Sequence, residues 1–379
     1  MAPRRPLNPD NWLSLLAAAQ SSVMATPITG SMAFSRPRVA LRPPGRRILV
    51  TGGAGFVGSH VVRALVARGD DVTVLDDLSQ GHRDAVPAGV PLLVMSLADR
   101  AALERVLADG PWGVVLHFAA RSLVSDSMAQ PFRYLLDNAG QGIALIDACI
   151  RHGVPRFVLS STANVYGESE LVPIREGACI APSSPYGESK YMIERALCWA
   201  DRTHGLRSAT LRYFNPAGCD PDGNLGEDHD PETHLIPLVI DAALGRRPPV
   251  AVFGTDLPTA DGTCVRDYVH VSDLADAHLC ALDALEDGSV TWNVGTGSGH
   301  SVADVIRAVE RVGGKSVPFH LAPRRPGDPA TLVARADRIR AQAGWAPRFG
   351  RLDDIVATAW DWRLRNPAGY GSGRNTKLC

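Results

Sequence analysis

Lysine is almost missing from this chain. Of 39 basic residues only Lys190, Lys315 and Lys377 are lysine, and the other 36 are arginine. A surplus of either charge is missing too, since 39 basic residues face 40 acidic ones for a formal net charge of −1. That balance excludes the basic excess of a nucleic-acid binder and the acidic excess of a solvated tail. No run approaches the roughly 20 uninterrupted apolar residues of a membrane-spanning helix, so no membrane partner is expected. Cys149, Cys179, Cys198, Cys219, Cys264, Cys280 and Cys379 are odd in number and never spaced C-x-x-C. They suit neither a disulfide framework nor a zinc site, and reduced thiols in the cytosol are expected. His117 has no Cys or carboxylate at ligand spacing, and no metal site is expected.

What is present is a chain of 379 residues, 45% hydrophobic, ample for a buried core and long enough for a domain with a second lobe. Residues 1–47 stand apart, with seven Arg and seven Pro against one acid, Asp10. Residues 1–46 are expected to be a disordered extension, with a targeting segment as the alternative. From Arg47 on, short apolar runs (Ile48–Val50, Asp71–Leu75, Val90–Met95, Val114–Phe118, Arg156–Ser160, Ser208–Tyr213) alternate with helical patterns. That alternation predicts an α/β fold, a Rossmann-type doubly wound parallel sheet, over residues 47–213. Beyond residue 214 the alternation weakens. Residues 214–366 are expected to form a smaller α/β substrate lobe, with some segments returning to the first domain, and 367–379 a loose tail.

Between the first strand and its helix lies Gly52-Gly53-Ala54-Gly55-Phe56-Val57-Gly58. Gly53, Gly55 and Gly58 satisfy G-x-G-x-x-G, and Gly52, Gly55 and Gly58 satisfy G-x-x-G-x-x-G. Such glycines let the backbone approach a pyrophosphate at a helix N-terminus. Asp76 ends the next strand, 18 residues past Gly58. A carboxylate there accepts from both ribose hydroxyls and, with Asp77 beside it, repels a 2′-phosphate, which predicts NAD over NADP.

Ser184-Pro185-Tyr186-Gly187-Glu188-Ser189-Lys190 places Tyr and Lys at i and i+4. Ser184 suits the N-cap and Pro185 the first helical position, so both side chains share a face. A free phenol titrates near 10. A neighbouring ammonium and an oxidised nicotinamide are expected to favour its phenolate. A chain that otherwise uses Arg keeps Lys here. Thr162, in Ser160-Ser161-Thr162 after another strand, is positioned to bridge the Tyr186 hydroxyl and a substrate oxygen; a plain turn hydroxyl is the alternative. The set describes hydride transfer with Tyr as acid and base.

The segments TGGAGFVGSH, LDDLSQGHR, HFAA, SSTANVYG, SPYGESK, RYFNPAG, DGTCVRDYVHV, NVGTG and APRRPGD together resemble the extended short-chain dehydrogenase/reductase family, and within it the nucleotide-sugar 4-epimerases. The resemblance runs from about Arg47 to Arg365. It implies NAD-dependent inversion at C4 of a UDP-hexose, UDP-glucose and UDP-galactose, through a 4-keto sugar that turns over in the pocket. It implies Tyr186, Lys190 and Thr162 as catalytic residues. Phe56, Val57, Phe118, Ala119 and Ala120 join the glycines, Asp76, Asp77 and Lys190 around the cofactor. Asn215, His234, Leu235, Phe253, Arg266, Arg325, Asp328 and Leu332 contact the UDP-sugar, the two guanidinium groups suiting a diphosphate. A homodimer in the cytoplasm is the family expectation.

The chain also departs from its relatives. Ala163 and Asn164 stand where 4,6-dehydratases carry Asp-Glu, and cannot serve as their acid and base. Met95-Ser96 replaces a Gly-Asp that holds the adenine, and Ser122 replaces a Lys, so looser NAD retention is expected. His234-Leu235 stands where some members have Asn-Leu. Leu332 replaces a Tyr that limits sugar size, which leaves UDP-N-acetylhexosamines open, and UDP-xylose/arabinose with them. A nucleotide-sugar oxidoreductase with net redox is the competing reading.

Overall fold

The computed structural model describes residues 46–169, 171–324 and 329–371. Most of the expected extension at 1–46, together with Arg325, Asp328 and residues 372–379, therefore lies outside the described residues.

Seven strands form one parallel sheet: β1 (Arg47–Thr51), β2 (Asp71–Asp76), β3 (Leu92–Val94), β4 (Val114–His117), β5 (Arg156–Thr162), β6 (Arg207–Tyr213) and β7 (Val290–Val294). Their spatial order is β7-β6-β5-β4-β1-β2-β3. Every neighbouring pair is parallel. Helices cover both faces because the strands are buried on both, Ile48, Leu49, Val50, Val114, Val115 and Leu116 all being fully inaccessible. The strand order reverses between β1 and β4, so their C-terminal ends open a crevice, the usual ligand position in such sheets.

β7 comes from far along the chain, and the helix Val271–Ala284 packs on the helix Phe56–Arg68 over the same sheet. The remaining segments build a second core around Val239, Ile240, Val305, Val309, Val356 and Trp362. A small sheet there centres on Val265–His270, which pairs with Asn215–Ala217 and Thr331–Leu332 in parallel and with Gly299–Ser301 antiparallel. Val250–Phe253 pairs separately with Phe319–Ala322. The start of the expected loose tail is held: the Tyr370 ring stacks on His82 at 4.9 Å, and its hydroxyl meets the backbone of Gly226. An aromatic ring with a buried hydroxyl partner overrides the polar composition around it.

A short helix, Val124–Ala129, precedes one continuous helical run made of Pro131–Tyr134, a π-turn at Leu135–Gly140 and Gln141–Arg151. The extra residue of the π-turn turns Asn138 inward, and the side chain is 1% exposed.

Burial holds several imidazoles neutral. It lowers His117 to about 3, His270 to about 3 and His278 to about 4. The native state therefore refuses protons that the unfolded chain accepts below about 6.5. Stability from these groups is full above that pH and is lost as pH falls toward 4, by up to about 1.4 kcal/mol per pH unit for each ring. Urea unfolding between pH 7 and 4 should show this decline. It should be shallower in His278→Asn, which retains a donor for the Leu274 carbonyl bonded by His278 Nδ1 at 2.8 Å. An unchanged slope would remove His278 from the account.

Candidate active site

The glycine loop fits a dinucleotide. Gly52 has φ +73°, and a Cβ there would lie 2.4 Å from the Ala119 amide nitrogen. A Cβ on Gly58 would lie 2.2 Å from the Gly52 carbonyl oxygen. Side chains at these positions would collide with backbone and force apart the tight turn at the head of Phe56–Arg68, where free helical N–H groups face the crevice. Asp76 is 7% exposed and grips the loop, its Oδ2 accepting from Ala54 N and its Oδ1 from Leu78 N, both at 2.9 Å. Burial raises its pKa, and the two N–H donors oppose that rise. Each oxygen keeps a further lone pair for a hydroxyl, as ribose recognition needs. Asp77 is exposed and accepts from Ser79 N at 2.9 Å. Phe118, Ala119 and Ala120 follow β4 directly across from the loop, with the Phe118 ring 4.9 Å from His278.

Tyr186 and Lys190 lie on the helix Pro185–His204, capped as its sequence predicts. The Ser184 hydroxyl accepts from Gly187 N at 3.2 Å and Pro185 takes the first turn. The buried face runs Tyr186, Lys190, Ile193, Glu194, Leu197, so phenol and ammonium both turn inward. A Cβ on Gly187 would sit 2.5 Å from the Asn164 carbonyl oxygen. The glycine thus lets the helix press against the end of β5, where Tyr186 hydrogen-bonds with Thr162.

Thr162 is poised to donate. Its Oγ1 accepts from both the backbone N and the Nδ2 of Asn164, each at 3.1 Å. With those lone pairs engaged, its own proton is left for the phenol. In the sequence Asn164 is marked only by not being an acid, and its position two residues after Thr162 is the one signal of this contact.

Burial dominates the electrostatics of the pair when no ligand is bound. Burial raises the Tyr186 phenol well above its ordinary value, and the Thr162 bond opposes this only in part. Lys190 is 2% exposed; its Nζ donates to the Ser160 carbonyl at 2.9 Å. Burial lowers it to about 8, against the pull of Glu194. The protein's own charges therefore do not offset burial, the phenol stays neutral, and the positive charge that would favour ionisation must come with a ligand.

Behind the site runs a buried network. Arg212 and Glu194 pair at 2.5 Å with side chains 9% and 7% exposed. Ser161 Oγ donates to Glu194 at 2.5 Å, and Arg212 donates to the Tyr166 hydroxyl at 3.0 Å. Breaking such a pair from one side costs about 3–5 kcal/mol. Asn138 joins the other flank: it accepts from Arg121 N at 2.8 Å and donates to Ser189 Oγ at 3.1 Å. These partners are distant in sequence, and neither pattern nor spacing announced them.

Of the expected substrate residues, Arg266 and Leu332 are register partners on the small sheet, and Asn215 pairs with Tyr268 two residues on. Leu332 packs in one cluster with Ala163 and Phe214, close behind Thr162 and Asn215. Phe253 ends the separate two-stranded sheet, opposite Ala322. His234 caps the helix that Leu235 opens, and its Nδ1 lies 2.7 Å from Glu227 Oε1.

A model of the NAD dependent epimerase/dehydratase family matches residues 48–295. The UDP-glucose 4-epimerase of Azospirillum brasilense is 51% identical over 318 residues, 83% of this chain and 91% of that one. The crystal structure of UDP-glucose 4-epimerase from Brucella ovis in complex with NAD aligns with a TM-score of 0.80 and 40% identity, covering 83% of this chain and 98% of that one. That of UDP-glucose 4-epimerase from Bifidobacterium longum in complex with NAD⁺ and UDP aligns with a TM-score of 0.82 and 35% identity, covering 85% and 99%.

The cradle has a direct test. Gly58→Ala should weaken NAD binding about tenfold or more, a loss of at least ~1.4 kcal/mol, with the circular dichroism spectrum unchanged. Calorimetric titration giving wild-type affinity would show that the loop does not carry the cofactor.

Proposed function

The chain belongs to the NAD dependent epimerase/dehydratase family, and from that membership and the site's geometry we propose that it inverts C4 of a UDP-hexose, interconverting UDP-glucose and UDP-galactose. The observation that carries the reading is the buried Tyr186 phenol, bonded to Thr162 and one helical turn from Lys190, two strands along the sheet from the glycine cradle. NAD, when bound, supplies the acceptor and the returning donor for the C4 hydride. Tyr186 takes the proton of the 4-hydroxyl and gives it back to the inverted alcohol. Thr162 donates to the phenol oxygen while that oxygen is charged. Lys190, held on the Ser160 carbonyl, is kept close for the nicotinamide ribose. Because the proton and hydride both return, no net redox occurs and the cofactor need not leave.

In this reading Gly52, Gly53, Gly55, Gly58, Phe56, Val57, Asp76, Asp77, Phe118, Ala119 and Ala120 surround NAD. Asn215, His234, Leu235, Phe253, Arg266 and Leu332 hold the UDP-sugar, with Arg325 and Asp328 assigned to the same task. Residues 47–213 are the NAD domain, and 214–366 the substrate lobe, of which β7 is lent to the NAD domain's sheet.

A homodimer is part of the proposal. Phe132, Leu136 and Ile143 are exposed at helical spacing, and Met192 and Trp199 are exposed on the adjoining helix. A contiguous apolar face of this kind suits a second copy. Among the described residues no helix is long and apolar enough to cross a membrane. The six described cysteines are free, which supports placement in the cytoplasm; a role in galactose metabolism follows only from the proposed substrate.

Purified protein incubated separately with UDP-galactose, UDP-N-acetylgalactosamine and UDP-xylose, with products read by NMR, should convert UDP-galactose to UDP-glucose without accumulating NADH. Stoichiometric NADH would instead indicate a net oxidoreductase. Tyr186→Phe should lower turnover by about 10²–10⁴ while NAD still binds; near-normal turnover would end the acid/base assignment. Leu332→Tyr should suppress any N-acetylhexosamine activity and spare UDP-galactose, and equal effects on both would remove Leu332 as a gate.

A further inference from the structure

Sequence spacing pointed to no metal site, yet the fold gathers a ligand set outside the dehydrogenase centre. Glu227, His229, Glu232 and His234 each contribute one nitrogen or oxygen to a cluster whose atoms lie within 4.8 Å of one another. Glu227 is only 4% exposed. Its Oε1, with His229 Nδ1 and His234 Nδ1, is buried without a hydrogen bond. The three atoms approach one another as an ion-pair cluster without an aligned hydrogen bond, an arrangement that a bound cation would satisfy better.

The spacing indicates what that is. His234 Nδ1 is 2.7 Å and His229 Nδ1 3.5 Å from Glu227 Oε1. Glu232 Oε1 lies 3.5 Å from His234 Nδ1 and 3.7 Å from His229 Nδ1. A tetrahedral ion with bonds of about 2.0–2.2 Å sets its ligand atoms roughly 3.4 Å apart. Of the six separations among four atoms, three already approach that value, the shortest must open, and none exceeds 4.8 Å. Two imidazoles and two carboxylates suit zinc and its first-row neighbours better than calcium or magnesium, which take oxygen ligands.

We propose that Glu227, His229 and His234, completed by Glu232, bind one divalent transition-metal ion of the zinc type. Glu232 is held at both oxygens: Arg363 Nη2 donates to its Oε2 at 2.9 Å, and Thr233 N and His234 N donate to its Oε1 at 2.8 and 3.0 Å, so it reaches the ion by yielding one of these N–H bonds. Such outer contacts fix a ligand's direction. The ion's role is to staple. The His229 ring stands edge-on to Phe56 of the cofactor loop at 6.3 Å, and His234 begins the helix Leu235–Ala243 of the lobe. His82, whose backbone N donates to Ala54 O at 2.9 Å, bonds the Asp228 carbonyl at 2.8 Å. An ion here fastens one loop to both the cofactor cradle and the substrate side.

The test uses untagged full-length protein, stripped with chelator and dialysed against zinc. Elemental analysis should find one zinc per chain, the melting temperature should rise on reloading, and zinc-edge absorption should report two imidazole nitrogens among the ligands. Glu227→Gln and His234→Asn, which preserve bulk, should lose stoichiometric zinc while circular dichroism shows them folded. No stoichiometric zinc in the wild type, or zinc bound without imidazole, overturns the proposal. So does undiminished binding in the folded variants. If a variant does not fold, the wild-type imidazole count decides alone.

Discussion

The contact between the helix Pro185–His204 and the end of β5 governs the site. A side chain at Gly187 would collide with the Asn164 carbonyl, so only glycine lets the helix dock this close. Docking brings the Tyr186 phenol to Thr162 and the Lys190 ammonium to the Ser160 carbonyl. One turn further along, Glu194 on the same helix pairs with Arg212 on β6 and accepts from Ser161 on β5, which anchors the helix across two strands. Tyr186, Thr162 and Lys190, the proposed acid/base set, are thus held by a glycine contact at one end of this interface and a buried ion pair at the other.

This packing also sets the chemistry. The phenol is too buried to ionise on the protein's charges alone, and Lys190 is itself lowered to about 8. In the proposed reading, bound oxidised NAD would bring the positive charge that favours ionisation of Tyr186, which would couple proton removal to the cofactor state able to accept hydride.

What was legible in the sequence was local. The glycine loop between strand and helix, Asp76 at the next strand's end, and the Ser184-Pro185 start that turns Tyr186 and Lys190 to one face are all set within a few residues. What was not legible depends on tertiary pairing. The return of Val290–Val294 to the central sheet, the short strands around Val265–His270 and the Arg212–Glu194 pair join residues far apart in the chain. The π-turn that buries Asn138 has no distinct periodicity. The Glu227, His229, Glu232 and His234 cluster is close in sequence, but its spacing matches no familiar ligand pattern. The depth to which Tyr186 and Lys190 are buried was not legible either, because spacing along a helix carries no information about desolvation.

The most direct measurement of the central claim follows a label at the reacting carbon. UDP-galactose carrying deuterium at C4, incubated with the purified protein in ordinary water, should yield UDP-glucose with the deuterium still at C4, as seen by NMR. Loss of the label to solvent would contradict return of the same hydride within one closed site, and with it the role given to the Tyr186 centre.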